Sequence, residues 1–395
     1  GSAGMPGDGA AGGGGGGQRK QPPDDDGSDA NERRHFLEVC YSCLEYQQEA
    51  NRDVVWMVSR IQQLDAQDMS LWGMHVEQWV AATRSRIELN AQFLSLLPAP
   101  EVCGSCTDMD PHAVYEIPAG HVVESRNVSK VRTTLRQFVR DWAAEGKAER
   151  AASYAPLVEG LLRHLPISPE RRGAQKLRVL CPGCGLGRLP FDLARLGYAA
   201  QGNEFSYHMI LGSHLMFNRT DRAECYMISP FALNFVNRGR CADNLRFVKI
   251  PDVCPVDAMP EDSDFSMAAG EFVQVYERQV GEWDGVATCF FLDTAKNVFL
   301  YIRTLASIVR GGGVWTNIGP LLYHYADVEE EFSIELSWEE VRPAVSKYFD
   351  IVEESRRECI YTATPGSLMR TKFRCVFFVA IRNSEPAAGR SNPVY

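Results

Sequence analysis

The stretch LRVLCPGCGLGRLPFDLARLGYAAQGNEFS, residues 177–206, decides the fold class of this chain. The apolar segment Leu177–Cys181 is typical of a short buried strand, and the glycine-rich loop that starts near Gly183 predicts a tight turn. A helical pattern then runs to Arg195, and a second apolar strand ends at Glu204. Strand, glycine loop, helix and strand in this order predict a parallel βαβ unit, which is the building block of an α/β fold.

Gly183 and Glu204 together indicate a nucleoside-binding site. Glycines in the loop let backbone N–H groups approach a ligand without interference from a Cβ atom. Glu204 stands 21 positions after Gly183, where a second parallel strand delivers a carboxylate to the two ribose hydroxyls. The dinucleotide fingerprint G-x-G-x-x-G would need glycine at Arg188, whereas the chain has G-x-G-x-G. This spacing is similar to the first motif of class I S-adenosylmethionine-dependent methyltransferases, which bind an amino acid at the loop in place of a pyrophosphate.

The rest of the C-terminal half continues the alternation of strand and helix signals. We predict a helix from about Ala295 to Ile308 and strands over Leu245–Ile250, Trp283–Asp293, Val314–Ile318, Asp350–Glu354 and Phe373–Ile381. The last two strands would form an antiparallel hairpin at the end of the sheet. The expected fold is therefore α/β, a seven-stranded Rossmann-like methyltransferase sheet with an N-terminal helical region.

The chain divides into four segments by composition and periodicity. Residues 1–30 are rich in glycine and aspartate and are expected to form a disordered tail, and 384–395 a flexible C-terminal tail. Residues 31–165 form the helical N-terminal region, a lid with substrate and cofactor contacts, and 166–383 the class I methyltransferase domain. Within the helical region, apolar residues recur at helical spacing over Phe36–Leu64, Met69–Leu97 and Val128–Glu145.

Bulk properties limit the partners and the compartment. The formal net charge of −10 argues against nucleic acid, whose phosphates select basic surfaces. No apolar run approaches the roughly 20 residues that span a bilayer, and the N-terminus lacks the apolar core of a signal peptide. Twelve cysteines without a secretory signal predict reduced thiols in the cytoplasm, and the sequence leaves the nucleus open as a second location. Exposed faces on the N-terminal helices are compatible with a homodimer.

Three C-x-x-C pairs raise the question of a zinc site: Cys40/Cys43, Cys103/Cys106 and Cys181/Cys184. Two converging pairs would supply the four ligands that structural zinc requires. However, the first pair lies in a helical pattern and the third flanks the glycine loop. We therefore expect small buried thiols and no metal.

Longer motifs narrow the class. They are PGCGLGRLPFDLARLGYAAQGNEFS, FSMAAGEF, ATCFFLDTAKNV, GGVWTNIGPLLYHY, FVRDW and SIELSWEE. On these motifs the chain, from about residue 31 to residue 381, closely resembles the carnosine N-methyltransferase family. The resemblance implies methyl transfer from S-adenosylmethionine to the imidazole of carnosine (β-alanyl-histidine), which gives anserine. The implied partner is a small-molecule dipeptide.

The resemblance also implies a map of the site. The residues expected to bind the cofactor are Gln137, Arg140, Gly183, Glu204, Glu271, Phe272 and Cys289, and those expected to bind the dipeptide are Asp293, His324, Tyr361 and Phe373. Two departures from the family pattern stand out. The family usually has aspartate at the position of Glu271. It also tends to have substrate-holding tyrosines where this chain has Thr371 and Phe373.

Asp293 and His324 are the expected catalytic residues. A neutral imidazole already carries a lone pair, and with a pKa near 6.5 most of the free substrate is neutral at pH 7. Methylation of the ring nitrogen nearer the side-chain stem requires the proton to sit on the other nitrogen, and an acceptor opposite that N–H selects this tautomer. Asp293 ends the fourth predicted strand and His324 follows the fifth, so both are expected in the crevice at the carboxyl edge of the sheet.

The residues alone leave other interpretations open. Arg140 could bind the methionine carboxylate as a bidentate pair or lie on the surface. Asp293 could cap the next helix, and His324 could be a packed side chain. For the whole chain, the alternatives are a protein or peptide histidine N-methyltransferase, which needs an open groove, and a non-catalytic S-adenosylmethionine-binding module.

Overall fold

A computed structural model describes residues 28–72, 75–168, 170 and 175–387. The expected tails at 1–30 and 384–395 lie outside the described residues, except for residues 28–30 and 384–387. The N-terminal half is helical, with α1 (Ser28–Leu44), α2 (Tyr46–Ile61), α3 (Ala66–Leu71), α4 (Val76–Leu94), α5 (Ser125–Trp142) and α6 (Lys147–His164). None of the helices in the described part of the chain is long and apolar enough to cross a membrane.

The C-terminal half alternates strands and helices. In chain order they are β1 (Arg178–Pro182), α7 (Arg188–Leu196), β2 (Ala199–Glu204), α8 (Tyr207–Asn218), β3 (Tyr226–Ile228), β4 (Val248–Ile250), α9 (Pro255–Ala258), β5 (Asp264–Ala269), α10 (Phe272–Tyr276), β6 (Trp283–Cys289), α11 (Val298–Ile308), β7 (Val309–Gly319), α12 (Trp338–Tyr348), β8 (Phe349–Cys359) and β9 (Phe373–Arg382). Local signals set several boundaries. Glycines with positive φ, Gly187 and Gly197, flank α7, and a capping box between Ser337 and Glu340 begins α12.

The main sheet has seven strands in the order β5-β2-β1-β6-β7-β9-β8. Its first five strands are parallel, and β9 runs antiparallel to both β7 and β8. The expected α/β fold with a seven-stranded sheet and a terminal antiparallel hairpin is thus confirmed. Because β1 lies between β2 and β6 and is parallel to both, the loops after these three strands meet at one edge of the sheet.

The predicted third strand, Leu245–Ile250, is wrong as a member of this sheet. Only Val248–Ile250 is extended, and it pairs antiparallel with β3 in a separate two-stranded sheet. The strand beside β2 is β5, Asp264–Ala269. It lies at the sheet edge, and all six of its residues are exposed or half-buried. Edge strands need little apolar character, so the period-2 signal that identifies buried strands is weak here.

Other boundaries also differ from the prediction. The strand expected over Trp283–Asp293 ends at Cys289, because Phe290 adopts a positive φ of 54° and breaks the extended backbone. Asp293 lies beyond it in a short 3₁₀ turn. The strand predicted over Val314–Ile318 begins at Val309 and includes the glycine run. In the N-terminal region, the two long periodic segments each divide into two helices, α1 with α2 and α3 with α4.

The helical region and the sheet share a hydrophobic core. The predicted apolar stripe of α5, Val131, Leu135, Phe138 and Trp142, is buried. It packs in one cluster with Phe36 of α1, Phe191 of α7 and Leu211 of α8. Helix α6 lies directly on the sheet, since a Cβ on Gly160 would come within 2.8 Å of Val379 Cγ2. The N-terminal helices are therefore fixed against the methyltransferase sheet, and α5 and α6 reach the edge where the strand ends meet.

Candidate functional site

A cavity of about 770 Å³ opens at the carboxyl ends of β1, β2 and β6. Nine of the residues expected at the site line it, namely Gln137, Arg140, Gly183, Glu204, Glu271, Phe272, Cys289, His324 and Tyr361. Asp293 and Phe373 lie outside its lining. The volume is in the range of sites that enclose a cofactor-sized molecule, roughly 300–1,000 Å³.

Glycine is required at position 183 for two reasons. Its φ of +62° belongs to the left-handed region that side chains rarely adopt. A Cβ built there would also lie 2.5 Å from Phe291 Cδ2. Only glycine therefore lets the loop adopt this turn beside Phe291, another residue of the cavity lining.

Glu204 connects the glycine loop to the end of β2. Its Oε2 accepts the N–H of Gly185 at 2.8 Å, and its Oε1 accepts the N–H groups of Phe205 and Ser206 at 2.8 and 2.9 Å. Burial raises the pKa of this carboxyl, and the three backbone donors partly oppose that rise. A carboxylate has about four acceptor sites, so capacity remains for a ligand hydroxyl.

Arg140 lies at the centre of a buried polar network. Its Nη1 donates to the Tyr154 hydroxyl at 2.7 Å and to Asp141 Oδ1 at 3.2 Å, and its Nη2 donates to Ser153 Oγ at 3.3 Å. Gln137 Nε2 donates to Asp141 Oδ2 at 3.0 Å. Burial disfavours the charged form of Arg140 and by itself would lower its pKa. The electrostatic attraction of Tyr154 and Asp141 is larger and raises the pKa of Arg140 well above its usual value. The guanidinium is thus a permanent charge in the cavity wall.

Tyr361 extends this network into the cavity. Its hydroxyl donates to Gln137 Oε1 at 3.1 Å, and the Arg140 guanidinium lies 4.7 Å above its ring. The Phe290 ring is 4.8 Å away on the side of Cys289. Burial raises the pKa of Tyr361 to about 12 and that of the Cys289 thiol to about 11, although Arg140 opposes both shifts. Both groups are neutral at pH 7, and neither is an activated nucleophile.

Glu271 and Phe272 form the opposite wall at the start of α10. Glu271 Oε2 accepts the N–H of Gln274 at 2.9 Å and so caps this helix. Phe272 is buried, with its ring 5.4 Å from that of Phe291 and 5.2 Å from that of Tyr301. The longer glutamate side chain thus serves as a helix cap and still reaches the cavity surface.

Asp293 and His324 are joined through their backbones. The His324 N–H donates to the Asp293 carbonyl at 2.9 Å, and the Leu322 N–H donates to Asp293 Oδ2 at 3.0 Å. Asp293 is 2% exposed, and its Oδ1 has no hydrogen-bond partner among the described residues. Burial raises the pKa of Asp293, while the Leu322 N–H and the charge of His324 oppose the rise. His324 is exposed and lines the cavity above this buried carboxyl.

The backbone is strained at three residues that line the cavity or are adjacent in sequence to a lining residue. Phe290, Tyr323 and Thr362 are non-glycine residues with φ of 54°, 49° and 47°. Such conformations cost about 1–3 kcal/mol each and concentrate at functional sites. The centroid of the Phe373 ring is 5.9 Å from that of Phe290, which lines the cavity. Phe373 itself is not part of the lining.

Among the described residues, no group of three or more His, Cys, Asp or Glu side chains is arranged to hold a metal ion. Cys40, Cys43, Cys103 and Cys106 are buried in the same N-terminal hydrophobic cluster. None of the twelve cysteines, all of which lie in the described part of the chain, forms a disulfide bond. The two N-terminal pairs therefore act here as small apolar core residues.

A sequence model of the carnosine N-methyltransferase family matches residues 119–384. This match covers more than half of the chain and includes every residue that lines the cavity. The chain belongs to the carnosine N-methyltransferase family. Its fold and the location of its cavity agree with the resemblance that the sequence motifs indicated.

Curated members of the carnosine N-methyltransferase family give the degree of similarity. The rat protein (Rattus norvegicus) is 42% identical over 255 residues, which cover 64% of this chain and 63% of the rat protein. The Schizosaccharomyces pombe protein is 35% identical over 295 residues, which cover 72% of this chain and 77% of the yeast protein. The chain thus spans 63% of the length of the rodent relatives that it matches. Among solved structures, TehB from Haemophilus influenzae aligns over 63% of this chain and 67% of its own length, with a TM-score of 0.38 and 14% identity, too distant to bear on function.

The carnosine N-methyltransferase family implies S-adenosylmethionine, and the cavity residues fit this cofactor. Arg140 Nε is buried and has no partner among the described residues, although the other guanidinium nitrogens are paired. Glycine at position 183 lets the loop pack against Phe291 of the cavity lining, where a Cβ would lie 2.5 Å from Phe291 Cδ2. A buried arginine with an unpartnered Nε, a glycine loop and an acid at the end of β2 have the chemistry that suits an adenosylated amino acid.

Sequence reasoning missed two residues of this site, Asp141 and Tyr154. Asp141 follows Arg140 directly in the FVRDW motif, so the motif contained the signal. Tyr154 lies in α6, in a segment for which the sequence indicated only a helix. Its hydroxyl donates to Asp141 Oδ1 at 2.7 Å, a contact that requires α5 and α6 to pack together.

Proposed function

We propose that this chain transfers the methyl group of S-adenosylmethionine to the imidazole of β-alanyl-histidine and so forms anserine. The observation that carries the proposal is the single cavity in which the glycine loop, the Arg140 network and His324 meet. Membership of the carnosine N-methyltransferase family supports the substrate class.

The proposed cofactor contacts follow from the charges of the cavity wall. When bound, S-adenosylmethionine supplies an electrophilic methyl group on a positively charged sulfur. Arg140 and Gln137 hold the amino-acid carboxylate, because the guanidinium is permanently charged and oriented by Asp141. Glu204 accepts from the ribose hydroxyls, and Glu271 and Phe272 bind the adenine ring by hydrogen bonding and apolar contact. Fixing the reactants in one geometry supplies most of the expected acceleration.

Asp293 and His324 have the role of orienting the imidazole. The attacking ring nitrogen uses its lone pair to form the new N–C bond while the C–S bond breaks. The ring becomes cationic and loses the proton from its other nitrogen. The Asp293–His324 pair accepts that proton. His324 lines the cavity, and Asp293, which lies outside the lining, supports it with a carboxyl whose pKa burial raises and whose Oδ1 is unpartnered among the described residues. Tyr361, which also lines the cavity, borders the ring.

The experiment that tests this function is methyl transfer from labelled S-adenosylmethionine to carnosine, homocarnosine, Gly-His, histidine and a longer histidine peptide, with the methylated atom located by mass spectrometry. We expect product on the imidazole of carnosine and little on the longer peptide. Labelling of the longer peptide alone would assign the chain to histidine-protein methylation. Cofactor binding without transfer to any imidazole would contradict the proposal.

Two variants test the catalytic assignment. Asp293→Asn and His324→Ala are expected to lower turnover by about 100-fold or more, the usual contribution of general acid–base groups, with cofactor affinity nearly unchanged. Asp284→Asn, at the opposite end of β6, is the matched control and should retain activity. Near-normal turnover in both site variants would contradict the roles of Asp293 and His324.

We propose the cytoplasm as the compartment, which the twelve free thiols support, with the nucleus as a second location. The homodimer stays a prediction. The N-terminal helices expose apolar side chains that fit such an interface, among them Val55 and Trp56, each 56% exposed.

A further inference from the structure

A second cavity, of about 630 Å³, adjoins the first along helices α5 and α6. The connection between β8 and β9 forms its outer wall, with Ile360 and Thr362 in the lining. Tyr361, which lies between these two residues, lines the first cavity instead. Arg140 contributes to both cavities. The two cavities are therefore neighbours that meet at Arg140 and at the consecutive residues Tyr361 and Thr362.

The acidic side chains in the second cavity already have partners. Glu145 accepts two bonds of 2.6 Å from Arg246, and Glu358 accepts Lys372 Nζ at 2.8 Å. Glu149 accepts the backbone N–H groups of Thr362 and Ala363 at 2.9 and 2.8 Å. These carboxylates hold the cavity wall together. Because each of them already has a partner, none is needed to neutralise a further cation.

Two arginines of the same lining have no such partner. Within the described residues, Arg136 makes neither a hydrogen bond nor an ion pair, and its Nε is buried. Burial and the nearby positive charge of Arg132 lower the pKa of the Arg136 guanidinium. Arg370 is exposed at the cavity rim and lacks an acidic partner in the described structure. A partly buried, uncompensated guanidinium is costly, and a ligand anion would remove that cost.

We propose that this second cavity binds a carboxylate through Arg136 and Arg370. The planar guanidinium forms two parallel hydrogen bonds to a carboxylate, so an organic acid fits better than a spherical anion. The carboxylate has two possible sources. It is the C-terminal carboxylate of the methylated peptide, whose imidazole occupies the first cavity, or it belongs to a separate small organic acid. The first source rests on the proposed function.

The shared wall favours the peptide as the source. Tyr361 and Thr362 are consecutive residues that face the two cavities, so a short peptide that passes this point presents its ring on one side and its terminus on the other. The enzyme would thereby select a histidine with a free carboxyl terminus over a histidine inside a protein chain.

The test compares carnosine with its C-terminal amide as substrates of the wild-type enzyme and of Arg136→Gln, Arg370→Gln and Arg136→Lys. Arg60→Gln, on the exposed side of α2, is the matched control. We expect the wild-type KM to be about 10-fold or more lower for the acid than for the amide, the value of one charge-assisted bidentate pair. Arg136→Gln and Arg370→Gln should raise KM for the acid and leave KM for the amide and kcat unchanged. Arg136→Lys should restore part of the preference.

A second arm identifies a separate acid. Binding of N-acetyl-β-alanine and of citrate, neither of which has an imidazole, is measured by calorimetry. One outcome is saturable binding of either acid that Arg136→Gln abolishes, together with equal KM values for carnosine and its amide. This outcome supports the carboxylate site and identifies a separate organic acid as its ligand. Equal KM values in all variants and no binding of either acid would overturn the proposal. If no imidazole compound is methylated, the proposed function fails, and the calorimetric arm still tests the cavity. Because Arg370 is exposed, its variant remains informative even if Arg136→Gln unfolds.

Discussion

Asp141 orients the cofactor side of the site although its side chain is fully buried. Its carboxylate accepts from Gln137, Arg140 and Tyr154, and these bonds fix the direction of the guanidinium and the amide. Asn at this position keeps the shape but offers one acceptor atom in place of two, so at least one donor loses its partner. An unpaired buried donor costs about 1–3 kcal/mol.

Asp141→Asn is therefore expected to weaken S-adenosylmethionine binding by about 10-fold or more, since each 1.4 kcal/mol is tenfold in affinity. Calorimetric titration of the purified variant measures this, with Asp53→Asn on helix α2 as the control. The substitution should raise the Kd for the cofactor and leave the KM for the imidazole substrate almost unaltered. Wild-type cofactor affinity in Asp141→Asn would show that the network does not position Arg140.

The buried Asp293 is expected to support activity and to lower the stability of the protein at neutral pH. Burial raises its pKa above the unfolded value of 3.8, so the native state holds this proton more tightly than the unfolded chain does. Wild-type stability therefore falls as pH rises from 3.8 through the folded pKa, and the loss is complete above it. Asn carries no charge and avoids this loss.

We expect Asp293→Asn to be more stable than the wild type at pH 7.5, in spite of its low turnover. The difference in the free energy of unfolding should shrink as the pH approaches 4. Urea unfolding at pH 4, 5.5 and 7.5 measures it. A difference that stays constant over this range would contradict the assignment of a raised carboxyl pKa.

Among single residues, the sequence predicted the role of those that belong to a motif with a known chemical function. Gly183 and Glu204 follow from the loop spacing, and the structure places both in the cavity wall. Asp293 was expected at the end of a strand but lies in a 3₁₀ turn, because the chain turns at Phe290. Tyr154 could not be predicted, since only the contact between two helices gives its hydroxyl a partner.

At the level of elements, α6 depends on close approach to the sheet. A Cβ on Gly160 would lie 2.8 Å from Val379 Cγ2 and 3.1 Å from Thr316 Cγ2, atoms of two central strands. A larger side chain must push the helix outward, and Tyr154, which lies on the same helix, would move with it.

Gly160→Val is expected to lower the free energy of unfolding by about 1–3 kcal/mol, the usual cost of overpacking. It should also weaken cofactor binding, because Tyr154 loses its bonds to Arg140 and Asp141. Thermal unfolding and cofactor titration provide the two readouts. Gly104→Val is the control, since a Cβ there meets nothing within 4 Å. Equal effects of the two substitutions would contradict close helix–sheet packing at Gly160.

Local sequence pattern did not identify the segment that forms the edge strand beside β2. LRFVKI has the composition of a strand, and part of it is extended, but it belongs to a small separate sheet. DFSMAA has a mixed composition and completes the main sheet as its edge. Strand propensity describes fit to a half-buried surface, and the choice between two surfaces depends on the rest of the fold.

For the whole molecule, the N-terminal helices are part of the core on which the sheet depends. Phe36 and Leu94 pack in one cluster with Phe138, Phe191 and Leu211. Removing α1 to α4 would expose this apolar surface on α5 and α8, at roughly 25 cal/mol per Å².

A fragment that begins at residue 119, where the family match starts, is therefore expected to be less stable than the full chain and to bind a hydrophobic dye. It should also lose cofactor affinity, since α5 would no longer be fixed in place. Thermal unfolding and dye binding of the fragment and of the full chain measure this. A fragment as stable as the full chain would show that the helical region is an independent domain.

The sequence by itself determined the α/β class, the central βαβ unit, the terminal hairpin and nine of the residues that line the cavity. These features depend on local periodicity, on glycine spacing and on motifs that are contiguous in the chain. Only the tertiary structure decided which segment forms the edge strand, that Asp141 and Tyr154 orient Arg140, and that a second cavity with unpaired arginines adjoins the first. Each of these depends on contacts between residues far apart in sequence, and the free energy of such contacts is set by packing and burial, which no local pattern contains.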